Sequence, residues 1–252
     1  MAISLKSVDD IKHLRAANKL VAQTLDYTKE FLKAGMTLLE VDKKIDDFIT
    51  KNGAYPAFKG LYNFPNAACL SLNEVCIHGI PDNTILKEGD ILGVDIGTRL
   101  NGYYGDSART FGIGEISKSD EDLINCSKDA LYFAIKNIKV GMHFKELSFL
   151  IENFILDRGY VPLEGYCGHG IGKKPHEEPE IPNYLTGKNP KQGPKIKNGM
   201  VFCIEPMICQ KSGEAVVASD GWAVTSKDGL RTSHYEHCIA VANNKAEILS
   251  LA

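Results

Sequence analysis

Apolar residues recur at helical spacing from the N-terminus onward. Val8, Ile11, Leu14, Val21 and Leu25 keep that spacing behind Ser7-Val-Asp-Asp10, a stretch with the character of an N-cap. Thr37-Leu-Leu-Glu40 is a capping box that opens a second helix, which Gly53 stops. Two more helices are predicted over residues 119–138 and 144–157. Between the helices the pattern changes to short apolar runs. Residues 66–80 read as strand and loop, and residues 90–111 as two strands joined by a turn at Leu100-Asn-Gly102. Residues 199–210, 214–217 and 235–241 read as the last strands. A Pro-, Gly- and Lys-rich loop is expected over residues 177–199, with Lys188, Lys191, Lys195 and Lys197 on a solvated face.

The pattern also repeats itself. Gly35-Met-Thr-Leu-Leu-Glu40 matches Gly141-Met-His-Phe-Lys-Glu146, and the match runs on without gaps through Ile45/Ile151, Phe48/Phe154, Gly53/Gly159 and Pro56/Pro162. A period this long is not that of a solenoid. It predicts two structural copies, about 1–115 and 116–252, packed about a pseudo-twofold axis within a single catalytic domain spanning 1–252.

Four acids interrupt the apolar runs: Asp95 in Ile91-Leu-Gly-Val-Asp-Ile96, Asp106 in Tyr103-Tyr-Gly-Asp106, Glu205 in Val201-Phe-Cys-Ile-Glu205, and Glu236 in Tyr235-Glu-His-Cys-Ile-Ala-Val241. All four stretches read as strands, so the acids are expected to point inward, where a carboxylate must be neutralised, paired or bound to a cation. No Lys or Arg lies inside the same runs. Each repeat supplies one pair, and the pseudo-twofold axis would bring both pairs to the centre. Metal is the simplest charge balance, and four carboxylates suggest more than one ion.

Composition narrows the function classes. The net charge of −3 disfavours a nucleic-acid binder. No apolar run approaches membrane-spanning length, and Met1-Ala-Ile-Ser-Leu-Lys-Ser7 lacks the apolar core of a signal peptide. Seven cysteines without C-x-x-C spacing form neither a zinc-finger pattern nor a disulfide framework, which fits a reducing cytoplasm.

Among the histidines, His169 stands in Cys167-Gly-His-Gly-Ile-Gly172, where flanking glycines leave the imidazole unobstructed. It reads as a metal ligand beside the acids. His78 and His176 occupy Gly/Pro loops, where functional residues concentrate. His13 and His143 read as incidental surface residues, and His237 as structural, facing away from Glu236. Two Asp, two Glu and one His favour Mn, Fe, Co or Zn over a thiolate site. Two such ions with two free histidines equip a chain for metal-assisted hydrolysis of amides or esters. From the residues alone, the substrate stays open.

Several motifs together resemble the type I methionine aminopeptidases: Asn73-Glu-Val-Cys-Ile-His78, Val94-Asp-Ile-Gly with Tyr104-Gly-Asp106, Gly168-His-Gly-Ile-Gly with His176-Glu-Glu-Pro, Ile204-Glu-Pro-Met207 and Tyr235-Glu-His237. The resemblance covers nearly the whole chain. It implies an α+β pita-bread fold, a curved antiparallel sheet flanked by helices with internal duplication. It also implies removal of the initiator methionine, when the second residue is small, by two divalent ions. Carried over by motif, Asp106, His169 and Glu205 hold one ion and Asp95 the other, with Asp106 and Glu236 shared. Glu205 matches the proton shuttle, and His78 and His176 match histidines that contact substrate. Phe58, Phe64, Cys69 and Trp222 fall at the methionine pocket, although Phe58 stands where the family form carries Cys, Leu61 lies where Tyr is familiar, and Pro175 precedes His176 in place of an aromatic. Residues 177–204 leave no room for the large helical insertion of the type II enzymes, and a zinc-binding N-terminal extension is missing. The resemblance further implies the N-termini of nascent polypeptides as partners, met in transient association with the ribosome. A cytoplasmic monomer with no nucleic-acid or membrane partner is expected.

Overall fold

In the computed structural model, which describes residues 2–252, capping chemistry sets both N-terminal helices. Ser7 Oγ accepts the Asp10 N–H (3.1 Å) and Asp10 accepts the Ser7 N–H (2.9 Å), opening α1 (Val8–Phe31). Thr37 and Glu40 exchange the same pair of bonds at α2 (Leu38–Lys51). Val8, however, is 88% exposed. At about 100° per residue it points roughly a third of a turn away from the mean of Leu14, Val21 and Leu25, so the buried stripe begins at Ile11.

The strands of the first half are β1 (Tyr55–Pro56), β2 (Ala68–Leu72), β3 (Val75–Ile77), β4 (Ile91–Leu100) and β5 (Tyr103–Gly112). A two-residue turn joins β4 to β5. Asn101 (φ 51°) and Gly102 (φ 82°) both take the left-handed conformation that such a turn needs. After the helices α3 (Lys118–Asn137) and α4 (Phe144–Leu156), the second half continues with β6 (Val161–Pro162), β7 (Cys167–Gly170) and β8 (Glu177–Pro182). It ends with β9 (Val201–Ile204), β10 (Met207–Cys209), β11 (Ala215–Val217), β12 (Val224–Ser226), β13 (Thr232–His234), β14 (His237–Ala242) and β15 (Lys245–Ile248). All pairings are antiparallel. One sheet runs β1-β4-β2 with β5 beside β4, and the largest runs β15-β14-β9-β7-β8.

Several expectations need correction. Residues 177–182 form a strand rather than loop, because β8 is the outer strand of its sheet, where its prolines break no ladder. Residues 199–210 form two strands, interrupted at Glu205-Pro206, since proline lacks the N–H that the ladder needs. Glu236 likewise lies in the break between β13 and β14, so neither glutamate is within a strand. His143 is not incidental: it caps α4, with its N–H donating to Glu146 (2.8 Å) and Nδ1 donating to the Gly193 carbonyl (2.9 Å). His13 stacks on Tyr103 with ring centroids 5.0 Å apart.

Each half buries its own helices on its own sheet. Val21, Leu25, Val41, Ile45 and Ile49 of α1 and α2 meet Leu70, Leu92, Val94 and Ile96. Leu123, Leu131, Phe144, Leu147 and Ile151 of α3 and α4 meet Phe202, Ile204 and Ile239. Equivalent backbone bonds recur: the Gly35 N–H reaches Leu86 O (2.8 Å) and the Gly141 N–H reaches Ile196 O (2.9 Å). The first turns of α1 cross between halves, because Ile11 and Leu14 pack on Val201, Cys203, Cys238 and Ala240.

Candidate metal centre and adjoining pocket

Register places the first pair of acids. Asp95 is opposite Ala108, and Asp106 is opposite Gly97, so the two carboxylates are diagonal neighbours on one face of the β4–β5 hairpin. Helix α1 braces that hairpin. The Asn18 side chain donates to Leu14 O (2.9 Å) and accepts the Asp106 N–H (3.1 Å). The approach is close enough that a Cβ at Gly105 would lie 2.7 Å from Ala17 backbone, which explains the glycine. The segment carrying Glu236 is tied to the same hairpin. The Glu236 N–H donates to Ala108 O (2.9 Å), and Ser107 Oγ donates to Glu236 O (2.5 Å). Glu205 is fixed by Asn183, which is fully buried and donates to its carbonyl (2.9 Å).

The four acids and His169 converge. His169 Nε2 is 3.9 Å from Asp106 Oδ2 and 3.6 Å from Glu205 Oε1. Ligand atoms of Asp95, Asp106 and Glu236 all lie within 4.8 Å of one another. So do those of Asp106, His169 and His176, and those of His169, Cys203 and Glu236. His169 Nδ1 faces the Gly170 carbonyl at 3.0 Å. A carbonyl can only accept, so Nδ1 carries the proton and Nε2 offers its lone pair to the acids.

Burial dominates the electrostatics. It raises Asp95 to about 7 and Glu205 to about 8, and lifts Asp106 and Glu236 well above the ordinary carboxylate range. It lowers His169 to about 3 and His78 to about 4. Asp95 Oδ1, Asp106 Oδ1, Glu236 Oε1 and His234 Nε2 are buried without a hydrogen-bond partner among the described residues. Among the residues lining the cavity there is no Lys or Arg. Orphaned carboxylate oxygens beside an imidazole lone pair, with no protein cation, fit divalent metal.

A cavity of about 470 Å³ opens over this cluster. Phe58, Leu61, Phe64, Cys69 and Trp222 line one side, with Phe64 and Trp222 edge to face at 5.1 Å. Cys69 is the register partner of Asp95, so the apolar wall ends at the acids. His78, in the left-handed region at φ 58°, lines the cavity between Tyr166 and Trp222. His176 is solvent-exposed at the rim, with its ring 4.4 Å from that of His169 and 6.4 Å from that of Tyr62. His237 points elsewhere, bonded through Nδ1 to Ser250 Oγ (2.8 Å) and through Nε2 to the Tyr132 hydroxyl (3.1 Å). Sequence reasoning missed His234, whose Nε2 is 3.5 Å from Glu205 Oε2. Period-two alternation with Glu236 was the available signal. Tyr62 and Tyr166 also line the cavity and carry no comparable signal.

The model of metallopeptidase family M24 matches residues 12–243. A methionine aminopeptidase of Helicobacter pylori is 60% identical over 99% of both chains. The crystal structure of a methionine aminopeptidase from Rickettsia prowazekii superimposes with a TM-score of 0.96 at 33% identity, covering 99% of this chain and 100% of that one. A prolidase from Pyrococcus furiosus shares the fold at a TM-score of 0.80 and 23% identity, with 98% of this chain covering 65% of the other.

Proposed function

The chain belongs to metallopeptidase family M24 and, within it, to the methionine aminopeptidases, and from that premise we propose that it removes the N-terminal methionine of polypeptides whose second residue is small. Its fold is the pita-bread fold of those enzymes. One observation carries the reading: a single cavity joins buried carboxylates with unpartnered oxygens to a wall of Phe58, Phe64, Cys69 and Trp222. We take the whole chain as one catalytic domain of two related halves.

Two divalent ions would suit the donor set: Asp106, His169 and Glu205 would hold one and Asp95 the other, with Asp106 and Glu236 available to both. Mn, Fe, Co and Zn all match its oxygen-rich character. Bound there, such ions supply Lewis acidity, polarising the scissile carbonyl and making water nucleophilic at neutral pH. Glu205 takes the proton from the attacking water at a carboxylate oxygen and delivers it to the leaving amine. His176, at the rim, donates from its imidazole to the carbonyl oxygen as negative charge develops there. His78 holds the far side of the scissile amide. The thioether side chain lies along the apolar wall, with sulfur–aromatic contacts each worth roughly 0.3–1.5 kcal/mol. The free amine lies at the Asp95 end, a reading supported by the register pairing of Cys69 with Asp95.

On the same premise the substrates are N-termini of nascent polypeptides, reached by a cytoplasmic monomer in transient association with the ribosome. No helix among the described residues is long and apolar enough to cross a membrane. The reading is tested by incubating metal-loaded protein with Met-Ala-Ser and Met-Lys-Ser. Free methionine is expected from the first peptide and far less from the second. Equal release from both would remove the requirement for a small second residue.

A further inference from the structure

Lys6 precedes α1, and its side chain is 7% exposed. Its ammonium lies 2.5 Å from Glu177 Oε2, across 171 residues of chain, and the Glu177 side chain is 17% exposed. The Lys6 N–H donates to Gly199 O (2.6 Å), just before β9, the strand that leads to Glu205. Lys6 therefore ties the entrance of one strand of the site to the start of another, since Glu177 opens β8.

The ion pair rests on the turn that carries His176. Glu177 Oε1 accepts the Lys174 N–H (3.2 Å), and the Gly172 N–H donates to Lys174 O (3.1 Å). A Cβ at Gly172 would come within 2.6 Å of both Glu177 Oε1 and Lys6 Nζ, so the pair lies directly against the turn backbone. His176 follows within this turn. Its ring lies edge to face with His169 at 4.4 Å and parallel to Tyr62 at 6.4 Å between centroids, and among the described residues it makes no hydrogen bond of its own. Its position is thus set by its backbone, and its next neighbour in the chain is Glu177. An apolar pair could hold the N-terminal segment without desolvating two charges. The charged pair additionally aims the carboxylate so that its second oxygen closes the turn.

We propose that Lys6 is a positioning residue that holds His176 for catalysis through its ion pair with Glu177. This rests on the aminopeptidase reading above. Misplacement of a substrate-contacting group by about 1 Å costs on the order of 10²-fold in rate.

The test compares Lys6→Met and Lys6→Arg, each alone and combined with His176→Ala, using Met-Ala-Ser hydrolysis, metal content and the ring ¹H–¹³C resonances of His176. Lys6→Met is expected to lower kcat about 10–100-fold with normal metal content and KM within about threefold. Lys6→Arg recovers most of the rate. In the His176→Ala background Lys6→Met costs nothing more, because the two changes act through one group. A kcat within about twofold of wild type, or an equal loss in both backgrounds, overturns the proposal. If Lys6→Met does not fold, the Lys6→Met/Glu177→Met pair removes both charges and is expected to fold with kcat still low; full kcat in that pair overturns it as well. If the wild type releases no methionine, the aminopeptidase reading falls by itself. The His176 resonance then decides, displaced in Lys6→Met if the ion pair positions the ring and unmoved if it does not.

Discussion

Stripping the protein of divalent cations is expected to make its stability fall as pH rises from 6.5 to 8.0. Burial raises Asp95 to about 7 and Glu205 to about 8, so the folded chain still holds protons that the unfolded chain has released near pH 4. Where the native state binds more protons than the unfolded state, stability declines with increasing pH. The buried imidazoles of His78, His169 and His237, lowered to about 4, 3 and 4, act with the opposite sign. At pH 6.5 about half of the unfolded imidazoles are still charged, so each of these histidines offsets roughly 0.4 kcal/mol across the window. So does His234 and, less so for its solvent exposure, His176, which burial also lowers. Integrated over 6.5–8.0, Asp95 contributes roughly 1 kcal/mol of lost stability and Glu205 roughly 2 kcal/mol. Asp106 and Glu236, raised further, add in the same direction. Four raised acids outweigh the imidazole offset, and at roughly 2–4 °C per kcal/mol for a chain of this size Tm falls by several degrees. Thermal unfolding followed by circular dichroism, with chelator and reductant at four pH values across the window, measures it. A parallel series in saturating Mn²⁺ should be level or rise with pH, because metal binds the deprotonated ligands. A metal-free Tm that is level or rises through the window would refute the argument that these four acids are buried and uncompensated.

Three further outcomes follow from the site. Asp106→Asn and Glu236→Gln should each lose bound metal and nearly all activity; normal metal content by mass spectrometry with full activity would remove either residue from the centre. His176→Ala should keep its metal and lose ~10²–10³ in kcat, the usual worth of a transition-state donor; loss of metal instead would make it a ligand, as its proximity to Asp106 and His169 allows. Leu-Ala-Ser should be cleaved far more slowly than Met-Ala-Ser, and equal rates would mean that Phe58 and Leu61 have reshaped the apolar wall.

Much of this architecture was legible in the chain, for identifiable reasons. The Asn101-Gly102 turn and the apolar runs around it fix the β4–β5 register, and with it the diagonal placement of Asp95 and Asp106. Capping residues at Ser7 and Thr37 mark two helix starts within one residue. Most of what the chain does not make legible lacks a local signal. Cys167-Gly-His-Gly170 has the composition of a loop, and β8 carries prolines at positions that only an outer strand tolerates. Glu205 and Glu236 stood out as acids in apolar runs, yet both sit in breaks between strands, where tertiary bonds from Asn183 and Ser107 hold them. His234 is the exception, because the parity it shares with Glu236 is a local signal. The pairing of Lys6 with Glu177 depends on how α1 approaches the second half, which no local pattern encodes.

The most direct test of the central claim is a single peptide assay on protein dialysed against chelator and then given Mn²⁺ or Co²⁺. Mass spectrometry would follow Met-Ala-Ser and acetyl-Met-Ala-Ser side by side. The account predicts no hydrolysis without metal, release of free methionine from Met-Ala-Ser once metal is restored, and an intact acetylated peptide, whose blocked amine cannot occupy the Asp95 end of the cavity. Cleavage by the metal-free protein, or efficient cleavage of the acetylated peptide, would contradict it.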